Sequence, residues 1–208
     1  AINRAGVEIS RRAADGRASV FGSVGPTGSL LAMGEVSEQE LLDVFREQMA
    51  ILAAAGAEAI ILETMSDLAE AVLAVRAASG TGLPVVACMV FDSGRNKDRT
   101  LTGVTPERAA EQLTLAGADV IGANCGQGIE GYIAICRRLK SATDRPVWMK
   151  PNAGLPELVD GRTVYRTTAE KWAAHIPALV EAGASFVGGC CGTTPDYIRA
   201  AAGRLAAL

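Results

Sequence analysis

Short apolar runs alternate with longer amphipathic stretches along the chain. The runs are rich in Val and Ile, and the stretches between them are rich in Ala. This alternation is typical of strand–helix units that build a parallel sheet. The predicted strands are residues 19–23, 59–63, 84–91, 120–124, 146–150 and 185–189.

The amphipathic stretches predict six helices, one after each strand. Three of them are preceded by Ser37, Thr105 and Thr194, whose side chains suit the N-cap because their oxygen can accept a hydrogen bond from a first-turn N–H. Pro106 and Pro195 then occupy the first helical position, which favours proline. The predicted helices are residues 38–55, 67–78, 106–116, 129–139, 168–181 and 195–205.

Six consecutive strand–helix units predict a (β/α)8 TIM barrel that is two units short. Residues 2–14 predict a further helix, without an N-cap, whose apolar side carries Ile2, Val7 and Ile9. We therefore expect the first two strands to precede Ala1, and residues 1–208 to form a single barrel domain that is incomplete at its N-terminus. A chain of 208 residues with 49% apolar residues is large enough for one full core.

Charge and cysteine content narrow the class of protein. A net charge of −3, with 20 basic residues scattered among 23 acidic ones, argues against nucleic-acid or anionic-membrane partners. The apolar stretch 51–61 is interrupted by Gly56 and Glu58, so no transmembrane helix is expected, and the N-terminus has no apolar signal core. Five cysteines, an odd number, favour the reducing cytoplasm over a disulfide scaffold.

An internal repeat places three cysteines at equivalent points of the predicted sheet. Its copies begin with a glycine that ends a helix and continue into an apolar strand, over residues 56–64, 117–125 and 183–191. The last two positions of the copies are Glu63 and Thr64, Asn124 and Cys125, and Cys190 and Cys191. Because the carboxyl ends of parallel strands lie at one face, we expect the three thiols to converge there.

Three converging thiols predict a catalytic zinc site. Such sites have three protein ligands and an open fourth position, and thiolates are soft ligands that suit zinc. Two adjacent cysteines can reach one ion only where the strand breaks, and Gly188, Gly189 and Gly192 provide the break. Two alternatives stay open: three small buried residues, or a strained disulfide between Cys190 and Cys191. The remaining cysteines, Cys88 and Cys136, lie in apolar surroundings and are predicted to pack in the core.

Two further residues are predicted to bind the substrate at the same face. Glu63 ends an apolar strand, where a carboxylate needs a cationic partner, which is either the ammonium group of a substrate or a residue in a structural ion pair. Asn152 follows the strand 146–150. Its amide is expected either to support the metal ligands or to act as a weak oxygen ligand in the fourth position.

Other motifs carry weaker signals. The one histidine, His175, is predicted to have a surface or capping role, and its isolation excludes zinc sites built on several histidines and leaves a Ser-His-Asp hydrolase without support. Residues 126–131 match the dinucleotide motif G-x-G-x-x-G, but the third glycine falls inside a predicted helix. A nucleotide-binding reductase and a structural zinc module closed by a fourth ligand remain rival hypotheses.

Three segments resemble one protein family. Residues 122–126 (GANCG), 150–156 (KPNAGLP) and 188–195 (GGCCGTTP) are similar to motifs of the zinc-dependent homocysteine S-methyltransferases. That family includes betaine-homocysteine methyltransferase and the homocysteine-binding module of cobalamin-dependent methionine synthase, and the resemblance extends over essentially the whole chain. Residues 150–154 and 163–165 look more like methionine synthase.

The resemblance implies a (β/α)8 barrel that transfers a methyl group to the thiol of homocysteine and forms methionine. It implies zinc on Cys125, Cys190 and Cys191, and Glu63 on the amino group of homocysteine. The family's turn that holds the substrate carboxylate lies on its first strand, so no residue here is assigned to the carboxylate. Betaine and folate donors require aromatic surfaces, which are scarce near the strand tips of this chain. We therefore expect methylcobalamin on a separate corrinoid-bearing domain, with betaine or S-methylmethionine as the alternative donors.

Overall fold

A computed structural model describes residues 1–29, 31, 34 and 36–208 of the protein. The strands are β1 Phe21–Val24, β2 Ala59–Met65, β3 Val85–Met89, β4 Val120–Gly128, β5 Val147–Asn152, β6 Pro156–Val159, β7 Arg162–Tyr165 and β8 Phe186–Val187. The helices are α1 Ile2–Ala14, α2 Glu38–Ala54, α3 Leu68–Ala78, α4 Pro106–Ala116, α5 Ile129–Ser141, α6 Ala169–Ala173, α7 Ile176–Glu181 and α8 Pro195–Leu205. Among the described residues, no helix is both long and apolar enough to span a membrane.

Six strands form one parallel sheet in the order β1-β2-β3-β4-β5-β8. Consecutive strand–helix units therefore contribute neighbouring parallel strands, which is the connectivity of a (β/α)8 barrel. All six predicted strands are present, which confirms the parallel α/β class. The two further strands expected before Ala1 stay a prediction.

The two faces of the sheet bury different layers. The outer layer lies between the sheet and the helices and contains the large fully buried side chains Phe45, Leu62, Leu113 and Trp172. The inner layer is smaller and contains Ile61, Val86 and Cys88, with Phe21, Val120 and Trp148 packed against them. Cys136 is buried in the outer layer. Cys88 and Cys136 are thus packing residues, as predicted.

Gly122 in β4 leaves no space for a side chain. A Cβ atom there would lie 2.5 Å from the Trp148 carbonyl oxygen and 2.7 Å from the Cys88 Sγ. That carbonyl is fixed because Gly122 pairs with Trp148 in the sheet. We expect Gly122→Ala to lower the free energy of unfolding by about 1–3 kcal/mol, measured by urea denaturation. The matched control is Gly203→Ala in α8, where a Cβ meets nothing within 4 Å and stability should hold or rise; equal effects would contradict the prediction.

The single helix predicted over residues 168–181 is wrong. The structure has two short helices, α6 and α7, and His175 is the N-cap of the second. The cause is Pro177, which has no N–H and whose ring clashes with the carbonyl four residues earlier in a continuous helix. The first helix therefore ends at Ala173, and the second begins at Ile176 with Pro177 in its first turn.

The helix starts and the α1 surface agree only in part with prediction. Ser37 and Thr105 accept hydrogen bonds from first-turn N–H groups, as expected of N-caps, whereas Thr194 makes no side-chain cap bond. On α1, Val7 is buried, but Ile2 and Ile9 are exposed, so the apolar side predicted for this helix is wrong for those two residues.

The antiparallel hairpin of β6 and β7 was not among the predicted strands. Its turn is Asp160-Gly161, and both residues have positive φ, 50° and 74°. An Asp-Gly pair of this kind forms the two-residue turn whose twist matches a hairpin. The sequence signal was therefore present, although the flanking strands are short and largely exposed.

Candidate metal centre

The three predicted cysteines meet at the carboxyl ends of the strands. Cys125 lies near the end of β4, and Cys190 and Cys191 follow the end of β8, on the far side of β5. The Sγ atom of Cys191 is 3.8 Å from that of Cys125 and 3.9 Å from that of Cys190, and all three sulfurs lie within 4.8 Å of one another. The thiols are free, so Cys190 and Cys191 form no disulfide in this structure.

The sulfur spacing fits a tetrahedral zinc ion. Zinc–sulfur bonds of about 2.3 Å at tetrahedral angles separate the sulfurs by about 3.8 Å. In the described part of the chain, no histidine, aspartate or glutamate joins the group of three thiols. Cys191 is exposed and the other two cysteines are half-buried, so the group is accessible from solvent. The donor set thus suits a site with three protein ligands and an open fourth position.

Left-handed backbone interrupts two of the three strands that carry the repeat, β2 and β4. Thr64 and Cys125, which occupy the same repeat position, have φ of 61° and 63°. The pairing register shifts at both places, between Leu62 and Met65 and between Asn124 and Gly128. Positive φ is uncommon and costly for residues other than glycine, and such strain collects at functional sites. The Tyr132 hydroxyl donates to the Cys125 carbonyl at 2.6 Å and helps to hold this conformation.

The tip of β5 holds the Cys190–Cys191 pair in place. The Cys190 N–H donates to the Pro151 carbonyl at 3.1 Å, and the Ala153 N–H donates to the Cys191 carbonyl at 3.0 Å. Both cysteines lie beyond Val187, where β8 ends, so the strand break predicted from the glycines is present. Gly192 then packs under the Tyr165 ring, which lies 2.3 Å from the position that a Cβ would take.

Asn152 reaches the cysteines through both ends of its amide. Its Oδ1 accepts from the Cys191 N–H at 3.0 Å, and its Nδ2 donates to the Cys125 Sγ at 3.9 Å. The side chain is buried, and its backbone carbonyl accepts from the Trp172 indole at 3.2 Å. Of the two roles expected for Asn152, this arrangement corresponds to support of the metal ligands; its contact with substrate stays a prediction.

Asn124 is a site residue to which sequence reasoning gave no role. It is buried, and its side chain contacts both Thr64 and Cys190. The available signal was its place in the repeat, since Asn124 occupies the position of Glu63 and Cys190.

Glu63 is paired with a residue of the chain itself. The ammonium group of Lys150, which is buried at the end of β5, donates to Glu63 Oε1, and the Ser23 hydroxyl donates to Oε2 at 2.5 Å. Burial by itself would raise the pKa of Glu63, but the Lys150 and Ser23 hydrogen bonds outweigh it and lower the pKa below its usual range. The cationic partner that this carboxylate requires is therefore Lys150, which sequence reasoning missed.

The Cys191 thiol has a raised pKa in the cluster. Burial, followed by the charges of Cys190 and Cys125, raises the pKa of Cys191 to about 11. Three thiolates can be gathered at this spacing only if a cation offsets their repulsion. The repulsion among the thiolates therefore favours a bound cation, as does the spacing of the three sulfurs.

The other motifs lie apart from the thiols or do not form the expected loop. His175 lies at the start of α7, and its Nε2 is 3.5 Å from the carboxylate of Glu130 in α5. Its side chain is partly exposed, which is consistent with the predicted surface or capping role. Gly126 and Gly128 precede α5, but Gly131 lies inside it, so the three glycines do not share one phosphate-binding turn.

A family model described as homocysteine S-methyltransferase matches residues 1–205. The chain belongs to this family. The methionine synthase of Mycobacterium tuberculosis is 33% identical over 224 residues, and betaine–homocysteine S-methyltransferase 1 of Bos taurus is 32% identical over 226 residues. Both alignments cover 99% of this chain, which spans 18% of the methionine synthase and 53% of the bovine enzyme.

The fold of this family member is also that of a solved homocysteine methyltransferase. The apo structure of MmuM from Escherichia coli superposes with a TM-score of 0.76 at 23% identity, over 95% of this chain and 70% of that one. The six-stranded parallel sheet with its helices is therefore the TIM-barrel-like fold of homocysteine methyltransferases, as the sequence predicted.

Proposed function

We propose that this chain carries the zinc-dependent centre of an S-methyltransferase that methylates the thiol of homocysteine and forms methionine. The observation that carries the proposal is the convergence of Cys125, Cys190 and Cys191, with sulfurs within 4.8 Å, in a member of the homocysteine S-methyltransferase family. The open side of the cluster supports an enzyme over a structural zinc module, which would need a fourth protein ligand. A cytoplasmic location, expected from the odd cysteine count, suits three free thiols.

The three cysteines would hold the metal, and Asn124 and Asn152 would orient two of the sulfurs through their amide N–H groups. When bound, zinc would supply the positive charge that keeps a thiol deprotonated near neutral pH, where a free thiol with a pKa of about 8.5 is mostly protonated. The chain then has to bind homocysteine with its sulfur directed toward the methyl donor. It also has to exclude water from the face of the sheet at which the three thiols lie. A carbon–sulfur bond forms, the donor–methyl bond breaks with its electron pair left on the donor, and the thiol proton passes to solvent.

Glu63 is proposed to receive the ammonium group of homocysteine. A carboxylate offers about four acceptor positions, of which Lys150 and Ser23 occupy two. The Glu63 side chain is 31% exposed, against 8% for Lys150, so the remaining acceptor positions of the carboxylate are accessible to a substrate. The lowered pKa keeps the carboxyl group ionised at neutral pH and thus ready to accept a charged donor.

The methyl donor is proposed to be methylcobalamin, presented by a corrinoid-bearing domain or protein. The similarity to methionine synthase supports this donor. Betaine would need an aromatic cage, and among the described residues Tyr165 places a single ring against Cys191. Phe91, which follows β3, is fully buried, and the Tyr165 ring is covered in part by Gly192. The similarity to betaine–homocysteine methyltransferase keeps betaine as the second candidate donor.

The test is methionine formation by the full-length gene product. Zinc-loaded protein is supplied with homocysteine and, in separate reactions, with methylcobalamin, betaine or S-methylmethionine. We expect methylcobalamin to give the highest rate, and a chelator to stop the reaction until zinc is restored. A higher rate with betaine or S-methylmethionine would contradict the proposed donor. No methionine from any donor, in protein that retains zinc, would contradict the proposed function, and bound nucleotide would favour the reductase hypothesis.

A further inference from the structure

One carboxamide connects three strand tips that do not pair with one another. Asn124 lies on β4, Thr64 on β2 and Cys190 beyond β8, and the sheet order places β3 and β5 between them. The Asn124 Oδ1 accepts from the Thr64 N–H at 2.6 Å. Its Nδ2 donates to the Thr64 Oγ1 at 2.8 Å and to the Cys190 Sγ at 3.6 Å. The contacts therefore cross the inside of the sheet and are not part of any strand ladder.

The orientation of this amide is fixed by its partners. A backbone N–H can only donate, so the atom that faces the Thr64 N–H must be the amide oxygen. The NH₂ group then faces the Thr64 hydroxyl and the Cys190 sulfur, which uses both of its hydrogens. Asn124 is 1% exposed, and water does not compete for these positions. The donor on the Cys190 sulfur is thus built into the fold.

From these contacts we propose that Asn124 is a positioning residue of the metal centre, an inference that deepens the proposed function and rests on it. Its N–H holds the Cys190 sulfur in place and stabilises negative charge on it, which favours metal binding. Its clamp on Thr64 keeps the left-handed backbone next to Glu63, so the carboxylate stays at a fixed place relative to the thiols. Because Asn124 is buried and its side chain contacts Thr64 and Cys190, it would act through these two residues and not on the substrate itself.

The test compares zinc affinity in folded variants, by competition with a chromophoric chelator. Asn124→Leu keeps the approximate size of the side chain and removes the donor to Cys190, so we expect the dissociation constant for zinc to rise about 10- to 100-fold. The matched control is Thr114→Val, which removes a 2.7 Å hydrogen bond to Thr143 far from the strand tips and should leave zinc affinity unchanged. If Asn124→Leu does not fold, Asn124→Ser removes the same donor with a smaller side chain and should weaken zinc in the same direction.

A spectroscopic measurement separates positioning from general destabilisation. In cobalt(II)-substituted protein, loss of the N–H on one sulfur should shift the thiolate-to-cobalt charge-transfer band in the Asn124 variants and leave it in place in Thr114→Val. Unchanged zinc affinity and an unchanged band in a folded Asn124 variant would overturn the inference. Both measurements are independent of methyl transfer. Failure of the inference therefore differs from failure of the proposed function, which would show as zinc binding without methionine formation in the unsubstituted protein.

Discussion

Cys190→Ser is expected to lose zinc and to reduce methyl transfer to background. A serine hydroxyl stays protonated near neutral pH and replaces one of the three thiolates that the cluster offers. Apparent zinc affinities of about 10–16 kcal/mol for structural zinc sites correspond to about 3–5 kcal/mol for each of three ligands, or on the order of 10²- to 10⁴-fold in Kd. The measurement is zinc content after gel filtration, together with the rate of methionine formation. Serine at Cys125 or Cys191 should act in the same way.

The matched control is Cys136→Ser. The Cys136 sulfur faces the Leu179 and Ala182 carbonyls at 3.8 and 3.6 Å, and a serine hydroxyl can donate to the same oxygens. Zinc should be retained in this variant and also in Cys88→Ser, since neither sulfur is one of the three that cluster. Full retention of zinc in Cys190→Ser would mean that the three thiols do not form the metal site.

Periodicity and repeat position predicted most of the fold and the convergence of the thiols. The helix-ending glycine and the apolar run after it recur at residues 56, 117 and 183, and parallel strands bring equivalent positions to one face. That topological rule is enough to bring together Cys125, Cys190 and Cys191 from distant parts of the chain. The rule requires no distances, because the direction of parallel strands alone determines at which end of the sheet their carboxyl-terminal residues lie.

Contacts across the inside of the sheet were beyond the same reasoning. Glu63 on β2 pairs with Lys150 on β5, with two strands between them in the sheet, and that pairing depends on sheet curvature and side-chain length. Asn124 reaches Thr64 and Cys190 for the same reason. A sequence shows that a polar residue ends an apolar strand, but not which polar residue it meets across the interior. By contrast, the helix break at Pro177 and the Asp160-Gly161 turn obey local rules, so both could have been predicted from the sequence although neither was.

Glu63→Gln is expected to weaken homocysteine binding far more than the binding of 4-mercaptobutyrate, a thiol that lacks the amino group. Glutamine keeps the size of the side chain and one acceptor oxygen, but it removes the charge-assisted contact with the ammonium group. That contact is worth about 1.5–3 kcal/mol, or roughly 10- to 150-fold in Kd. Calorimetric titration of the zinc-loaded protein with each thiol measures the difference, and zinc content should not change because Glu63 is not among the three ligands.

Lys150 makes the control for this prediction necessary. Glu63→Gln also leaves the buried Lys150 ammonium without its anion, and this would weaken the binding of any thiol to the same extent. Ser23→Ala removes one hydrogen bond from Glu63 and keeps both charges, so it should affect the two thiols equally and weakly. If Glu63→Gln also weakened both thiols equally, the carboxylate would serve only the ion pair with Lys150. A loss confined to homocysteine would instead mean that Glu63 meets two cations at once, one from β5 and one from the substrate, and that the ion pair holds the carboxylate ready for the second.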